Sequence, residues 1–537
     1  MSSLFHPGSK QKIAAVEWIL LILLVCGYYI WLSNDAIYSA SANGRLVDRF
    51  ETDEYQLFYV TNEALLGRTL YIDYSIYGHF YFNLALIPLF IKDYFGSISD
   101  QFVILTMRYI SLASSALTVI LTFGIAGRYF KNFTAWMSAL LLMVIPSTFN
   151  YWSIKVHPDT LQVLTVVASL FACCEFVASR KKEWLLLASV FAGMSFSTKY
   201  VGAFLMPIIW LFYLLSLNEK KGERLSFSPS SIMPWVKFSV VTGLLFFAAF
   251  VVTSPSLFVG GQIFDGLFLQ MRVTRSGYIF ATNNNFYEWF GILSSPAVLG
   301  MMNSLILGAA LASFLVELWK SRLQVILSIK GLLWSWVLFY FLYALINVNL
   351  REDRYFLVII APAFILASQF VVDSLGWVWK NLPRNAVFFV LLFTFLGLEG
   401  LEISKGIANQ QTLIETTTNR EVDDDVIAAG RWLEANYPSE TRILYDRYSY
   451  IPPKFTRVQG SYGLDLQALQ DFNPKVVVIN RSIRDVYLDP SLAGSFTAGA
   501  EIYMAMHDFY EQMENEMLGY HLVREFEGVK IFERDGK

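Results

Sequence analysis

The sequence predicts a polytopic α-helical membrane protein of about 11–12 transmembrane helices, with a small α/β domain at its C-terminal end. Three observations carry that reading. The 537 residues are 55% hydrophobic and only 16% charged, with a mean hydropathy of +0.46, whereas soluble domains are about one quarter charged. Long apolar stretches recur along the first 405 residues. Charge is also uneven: residues 419–537 hold 33 charged side chains (20 acids and 13 bases), against 52 in residues 1–418.

The same figures exclude other classes. A net charge of -3 gives no basic footprint for nucleic acid. Three cysteines, with Cys173 and Cys174 adjacent, make neither a disulfide framework nor a CxxC metal site.

The chain starts with the basic segment MSSLFHPGSKQK. The apolar run behind it, Ile13 to Leu32, is too long for a signal-peptide core and reads as a retained first helix. Spans follow at 13–33, 102–127, 133–150, 160–178, 184–198, 200–217, 236–256, 291–318, 331–348, 355–373 and 385–403. The stretch from Tyr77 to Tyr94 is ambiguous, because it holds His79, Asn83 and Pro88 and ends in Lys92 and Asp93.

The bases resolve it. If 77–94 lies in the outer interface, Lys10, Lys12, Arg128, Lys131, Arg180, Lys181, Lys182, Lys220, Lys221, Arg224, Lys320, Arg322, Lys330, Lys380 and Arg384 all face the cytoplasm. A full crossing there turns every later cluster outward, against the positive-inside rule. The expectation is eleven crossings, a cytoplasmic N-terminus and an outer tail.

The domain plan is then a membrane body over 1–405 with outer loops 34–101 and 257–290, a linker at 406–420, and a soluble unit over 421–537. In that unit, 423–436 has helical spacing behind an acidic start, which suits the helix dipole better than a metal site. RILYD (442–446) and KVVVINR (475–481) read as buried strands, and 520–533 alternates like a hairpin about Glu527-Gly528.

This topology gathers acids and bases on one face. The first outer loop carries Asp53, Glu54 and Tyr55. His157-Pro158-Asp159 opens the fourth span, Lys199 follows the fifth, and Arg272 and Arg275 lie in the loop 257–290. Arg351 and Arg354 stand at the mouth of the tenth span, and Arg108 lies just inside the second. Each has a plainer reading alone: Asp53-Glu54 as first-turn acids, Pro158-Asp159 as a helix start, Lys199 as an interfacial snorkel. Together, cations at headgroup depth suit a lipid phosphate. An acid beside them suits proton removal from a nucleophile. His79, His157, Asp53 and Asp159 also admit a metal reading, which their spacing does not single out.

The order of these features, namely Asp53-Glu54, Arg108 in TMRYISLASSALTV, Pro158-Asp159, Lys199 in GMSFSTKYVGAFLMP and the late RYFLVIIAPAF, resembles the GT-C superfamily of polytopic glycosyltransferases. The resemblance is to the family 39 branch of protein O-mannosyltransferases and aminoarabinose-transferase-like enzymes. It covers most of residues 1–405, and the tail resembles the extracytoplasmic domain of many bacterial members.

The resemblance implies an inverting glycosyltransferase in a bacterial inner membrane. A polyprenyl-phosphate-linked sugar would be the donor, and a hydroxyl on a protein, lipid or polysaccharide the acceptor. Asp53 would be the catalytic base, with Glu54 beside it, and Asp159 would orient the acceptor or support the base. Lys199, Arg272 or Arg275, Arg354 and Arg108 would hold the donor phosphate. His157, Tyr55 and His79 would contact acceptor or sugar. The segment 257–290 is too short for the sugar-binding insert of eukaryotic members, and no acidic pair of the oligosaccharyltransferase kind is evident. A resident metal is therefore not favoured, and no cofactor is expected. The competing classes are a flippase for a lipid-linked sugar and a non-catalytic assembly protein. A flippase should place its polar groups near the midplane, not at one face.

Overall fold

A computed structural model of the chain describes residues 13–34, 37, 52–219, 229–277, 280, 287–321, 323–381, 386–419, 425–446, 448–452 and 454–536. It divides into two compact units, Met1–Met271 with Asn285–Glu415, and Arg272–Asn284 with Thr416–Lys537.

The first unit is helical. Its first helices are α1 (Ala15–Ser33), α2 (Thr52–Leu66), α3 (Phe80–Phe95) and α4 (Asp100–Tyr129). Ser99 caps α4 by accepting the Phe102 N–H, and Asp100 sits in its first turn, where the dipole favours an acid. Down the buried side of α4, Ser115, Thr118 and Thr122 each donate to the carbonyl four residues back. Hydroxyls are thus satisfied without water, as an apolar surround requires.

The next elements are α5 (Asn132–Val144), α6 (Ser147–Ser153), α7 (Asp159–Ser179), α8 (Glu183–Phe196) and α9 (Leu205–Glu219), the last entered through a 3-10 turn at Tyr200–Phe204. After them come α10 (Pro229–Thr253), α11 (Gln262–Ser276), α12 (Tyr287–Ser294), α13 (Met301–Ser321) and α14 (Leu323–Ile326). The unit closes with α15 (Ile329–Asn347), α16 (Leu357–Asn381) and α17 (Ala386–Asn419). α7 packs between α4 and α8, α10 covers α8, and α5 and α16 lie together. One large apolar cluster joins these helices, and a smaller one ties α2 and α3 to α4.

Among the described residues, eight helices are long and apolar enough to cross a membrane. They cover eight of the expected spans. Two of the remaining three, and one of the eight, differ in form. The span expected at 133–150 is broken into α5 and α6 with a 69° bend, because Pro146 between them has no N–H for the ladder. The span at 184–198 is the 14-residue α8, about 21 Å long and short of a typical ~30 Å hydrocarbon core. The stretch 291–318 is α12, a loop and α13, with Gly300 at φ +78°. The linker expected at 406–420 is helical as far as Asn419, as the end of α17. The ambiguous stretch 77–94 forms α3, a 16-residue helix containing Pro88.

The second unit is an α/β domain. It holds α18 (Asp425–Asn436), β1 (Arg442–Asp446), β2 (Arg457–Ser461), α19 (Leu466–Phe472) and β3 (Val476–Asn480). These are followed by α20 (Arg481–Tyr487), α21 (Ala500–Glu514), β4 (Tyr520–Glu525) and β5 (Val529–Arg534). The sheet order is β2-β1-β3-β5-β4. β1 runs parallel to β2 and β3, while β5 is antiparallel to β3 and β4. The expected helix, the two buried strands and the closing hairpin all appear. The edge strand β2, exposed along its length, has no apolar signal, and the sequence reading passes over it. Phe280, from the segment 272–284, bridges to Phe496 and packs on Tyr503 within this unit.

Candidate active site

Two clusters form where the helices of the first unit end. The inner one centres on Glu54, in the first turns of α2, with no solvent exposure. Arg108, one third of the way along α4, donates to it twice, Nε to Oε1 at 3.0 Å and Nη2 to Oε2 at 3.1 Å. The Val156 N–H donates at 2.6 Å, and the Lys155 ammonium lies 3.5 Å away. Burial alone would raise the Glu54 carboxyl. The Arg108 and Lys155 charges and these hydrogen bonds outweigh it and bring it down to about 2.

The outer cluster begins one turn later, where the chain enters α7. Asp159 receives an ion pair from Lys199, and His157 Nδ1 lies 2.9 Å from its other oxygen. The Lys199 N–H donates to Gln162 Oε1 at 3.0 Å, and Gln162 donates to Ser195 at 2.7 Å. One helical turn of α7 therefore fixes both the acid and the backbone of the base that pairs with it. The Lys199 ammonium also lies 4.8 Å from the centre of the Tyr77 ring, whose hydroxyl is 3.4 Å from His157 Nε2.

Trp152 closes this cluster. Its ring lies 4.1 Å from the His157 ring and carries the Arg354 guanidinium at 5.7 Å on centres. Arg354 pairs with Glu352, and Asp353 accepts from Thr148. A cavity of about 660 Å³ opens beside them, lined by Trp152, Ile292, Ser295, Arg351, Asp353 and Arg354 among others. Burial lowers the affinity of both His157 and Lys199 for a proton. Asp159 opposes that in each case, and the nearby Arg354 charge adds to it.

The structure thus joins four of the expected residues: His157, Asp159, Lys199 and Arg354. It places others differently. Arg108 was expected at a phosphate, but its guanidinium is fully buried against Glu54, so the pair braces α2 on α4. His79 is also buried. Its Nδ1 is 2.6 Å from Ser256 Oγ, and its Nε2 is 2.8 Å from the Tyr74 carbonyl. Both ring nitrogens are thereby used in holding the chain, and burial brings its pKa down to about 4. Gly78 beside it lies so close to Ser197 that a Cβ would stand 2.1 Å from that carbonyl. Arg272 and Arg275 are exposed near the end of α11 and belong to the second unit. Asp53 and Tyr55 lie in α2, but their side chains fall outside the described residues.

Sequence reasoning left Tyr77, Trp152, Glu352 and Asp353 without a role. Only the aromatic character of the loops hinted at the first two, since ring contacts depend on how loops from different spans meet.

A family profile described as dolichyl-phosphate-mannose-protein mannosyltransferase matches residues 85–253, the stretch holding Arg108, His157, Asp159 and Lys199. No curated protein matches the chain by sequence. Among solved structures, ArnT from Cupriavidus metallidurans bound to undecaprenyl phosphate aligns with a TM-score of 0.54 at 13% identity. The alignment covers 97% of this chain and 98% of that one. The apo oligosaccharyltransferase of Archaeoglobus fulgidus aligns with a TM-score of 0.59 at 13% identity, over 91% of this chain and 72% of that one. The fold is the GT-C fold, carried here by a polytopic membrane body with a C-terminal α/β domain.

Proposed function

We infer that this integral membrane protein is a glycosyltransferase that moves a sugar from a polyprenyl-phosphate donor to a hydroxyl acceptor at the outer membrane face. The observation that carries the reading is the cluster of Lys199, Asp159, His157 and Arg354 beside a cavity of about 660 Å³. Cations held at the mouth of an apolar helical body suit a phosphate whose hydrocarbon tail stays in the bilayer. The similar ArnT structure is bound to undecaprenyl phosphate, and the matched family is that of dolichyl-phosphate-mannose-protein mannosyltransferases. Both fit a lipid-linked donor.

In the reaction, Asp53 takes the proton of the acceptor hydroxyl. The acceptor oxygen bonds to the anomeric carbon from the face opposite the phosphate, and the bond from that carbon to the phosphate oxygen breaks. Inversion follows from that geometry. The polyprenyl phosphate leaves with the electron pair, and Lys199 and Arg354 stabilise its charge. Asp159 positions Lys199, and Glu54 holds the start of α2 so that Asp53 is presented from a fixed turn.

A release experiment tests this. Purified protein receives labelled polyprenyl-phosphate sugars and an acceptor fraction, with Asp53→Asn alongside. Wild type is expected to free polyprenyl phosphate and to label the acceptor, and the variant to do neither. Equal transfer by Asp53→Asn would overturn the assignment of the base. Lipid movement across liposomes with no covalent product would replace the reading with a flippase.

A further inference from the structure

A second group of acids lies buried in the first unit, away from the residues assigned above. α17 carries Glu399 and Glu402 on one face, 5% and 9% exposed. Asn303, in the first turn of α13, is fully buried, and its amide lies against the Glu399 carboxylate, which also feels Glu402. The two side chains interact with each other, but among the described residues no hydrogen bond of ordinary length and angle satisfies either Glu399 oxygen or either polar atom of the Asn303 amide.

The neighbours do not neutralise these acids. The Lys405 ammonium is 3.8 Å from Glu402 Oε1, but it is largely exposed. Glu402 Oε2 lies against Gly300, so close that a Cβ there would stand 2.6 Å from it. Gly300 opens α13, accepting the Ser304 N–H through its carbonyl, so the start of that helix offers Glu402 some positive potential. Glu399 has no such support. A buried carboxylate beside a second one is costly unless something positive joins them. Two carboxylates and an amide oxygen are the donor set of a hard divalent cation.

We propose that Glu399, Glu402 and the Asn303 side-chain oxygen bind a divalent cation of the Ca2+ or Mg2+ class, which clamps α17 to the start of α13. The site is structural and touches none of the residues assigned to sugar transfer, so its test reads binding and stability, not activity.

The whole chain in detergent is stripped with EDTA and melted in millimolar CaCl2, MgCl2, or NaCl at equal ionic strength. Wild type is expected to melt roughly 3 °C higher with one of the divalent ions than with Na+. Glu399→Gln and Asn303→Ala should each lose that rise, and His507→Ala should keep it. The last variant controls for the exposed group His507, Asp508 and Glu511, whose ligand atoms lie within 4.8 Å of one another. Should Glu399→Gln fail to fold, Asn303→Ala and metal analysis of the dialysed wild type decide. No rise in wild type, or a rise that survives Glu399→Gln, overturns the site. Wild type that ignores both cations while Glu399→Gln is the more stable protein in EDTA assigns a proton to Glu399 instead, and also overturns it.

Discussion

Glu54 keeps its negative charge without contact with water because Arg108, Lys155 and the Val156 N–H converge on it. Removing one partner leaves the other charge buried and uncompensated, which typically costs about 3–5 kcal/mol. Glu54→Gln and Arg108→Met should each lower the melting temperature markedly, and the double variant should lose less than the sum of the two. Additive losses would mean that the pair does not act as a unit. The carboxyl is also held at about 2, below the ~4.3 of an unfolded chain. Its contribution to stability is therefore complete above about 4.3 and is lost as pH falls toward 2. Glu54→Gln should flatten the acid limb of a stability profile over that window. Lys199 is a different case, since it pairs with Asp159 but also sits with Arg354 near the cavity. Lys199→Gln should cut transfer by about 100-fold or more if it stabilises the leaving phosphate, and should also lower the melting temperature, because the buried Asp159 loses its ion-pair partner. A loss of fold without a separate loss of rate would return Lys199 to a bracing role. At this scale the sequence named His157, Asp159, Lys199 and Arg354, because a charge at the edge of an apolar run is visible by its cost. It could not separate Arg108, which braces, from a phosphate ligand, because that depends on Glu54 arriving from another loop.

Among the elements, the segment before α3 shows how a loop is pinned. His79 N–H donates to Ser254 at 2.8 Å, the Phe80 N–H donates to the Ser197 carbonyl at 2.9 Å, and the Gly78 N–H donates to the Thr198 carbonyl at 3.2 Å. His79 is held at about 4 by burial, with the Tyr74 carbonyl opposing, whereas an unfolded His titrates near 6.5. Folding therefore favours the neutral ring. The stability it brings is complete above about 6.5 and drains as pH falls to about 4. His79→Gln should remove that slope, and a profile unchanged by the substitution would show that the ring is not titrating between the two states. The tail has the opposite sign. Burial pushes Asp446, at the end of β1, up to about 8, although Ser449 and the Asn480 N–H donate to it. The folded tail then holds a proton that the unfolded chain releases near 3.9, so its stability falls as pH rises from about 4 to 8. Asp446→Asn should abolish that fall and raise the melting temperature at pH 8; a destabilised variant there would refute the protonated form. The strand that ends in this aspartate and its neighbour β3 were legible as short apolar runs, RILYD and VVVIN. The bends at Pro146 and Gly300 were not, because an apolar window does not register where a span breaks.

For the whole molecule, arithmetic on basic residues is the ground on which we propose the side of each element and the count of crossings. Among the described residues, eight helices pass by length and composition, the bent α5–α6 pair adds a ninth, and α8 and α17 cover the two remaining expected spans. An odd number of crossings puts the termini on opposite sides of the membrane. It also puts Asp159, Lys199 and Arg354, which the structure joins, at one face. An even number would still fold the same cluster, but with the tail on the same side as the N-terminus. Reporter fusions separate the two cases. An alkaline phosphatase, active only outside the cytoplasm, should be active when fused after Lys537 and inactive when fused near the N-terminus. A fluorescent protein that folds only in the cytoplasm should show the reverse. If both termini report the cytoplasm, the stretch 77–94 crosses after all, or α8 does not. The bases at Arg180, Lys181, Lys182 and Lys330 would then identify which, since only the segments between the error and the tail would change side.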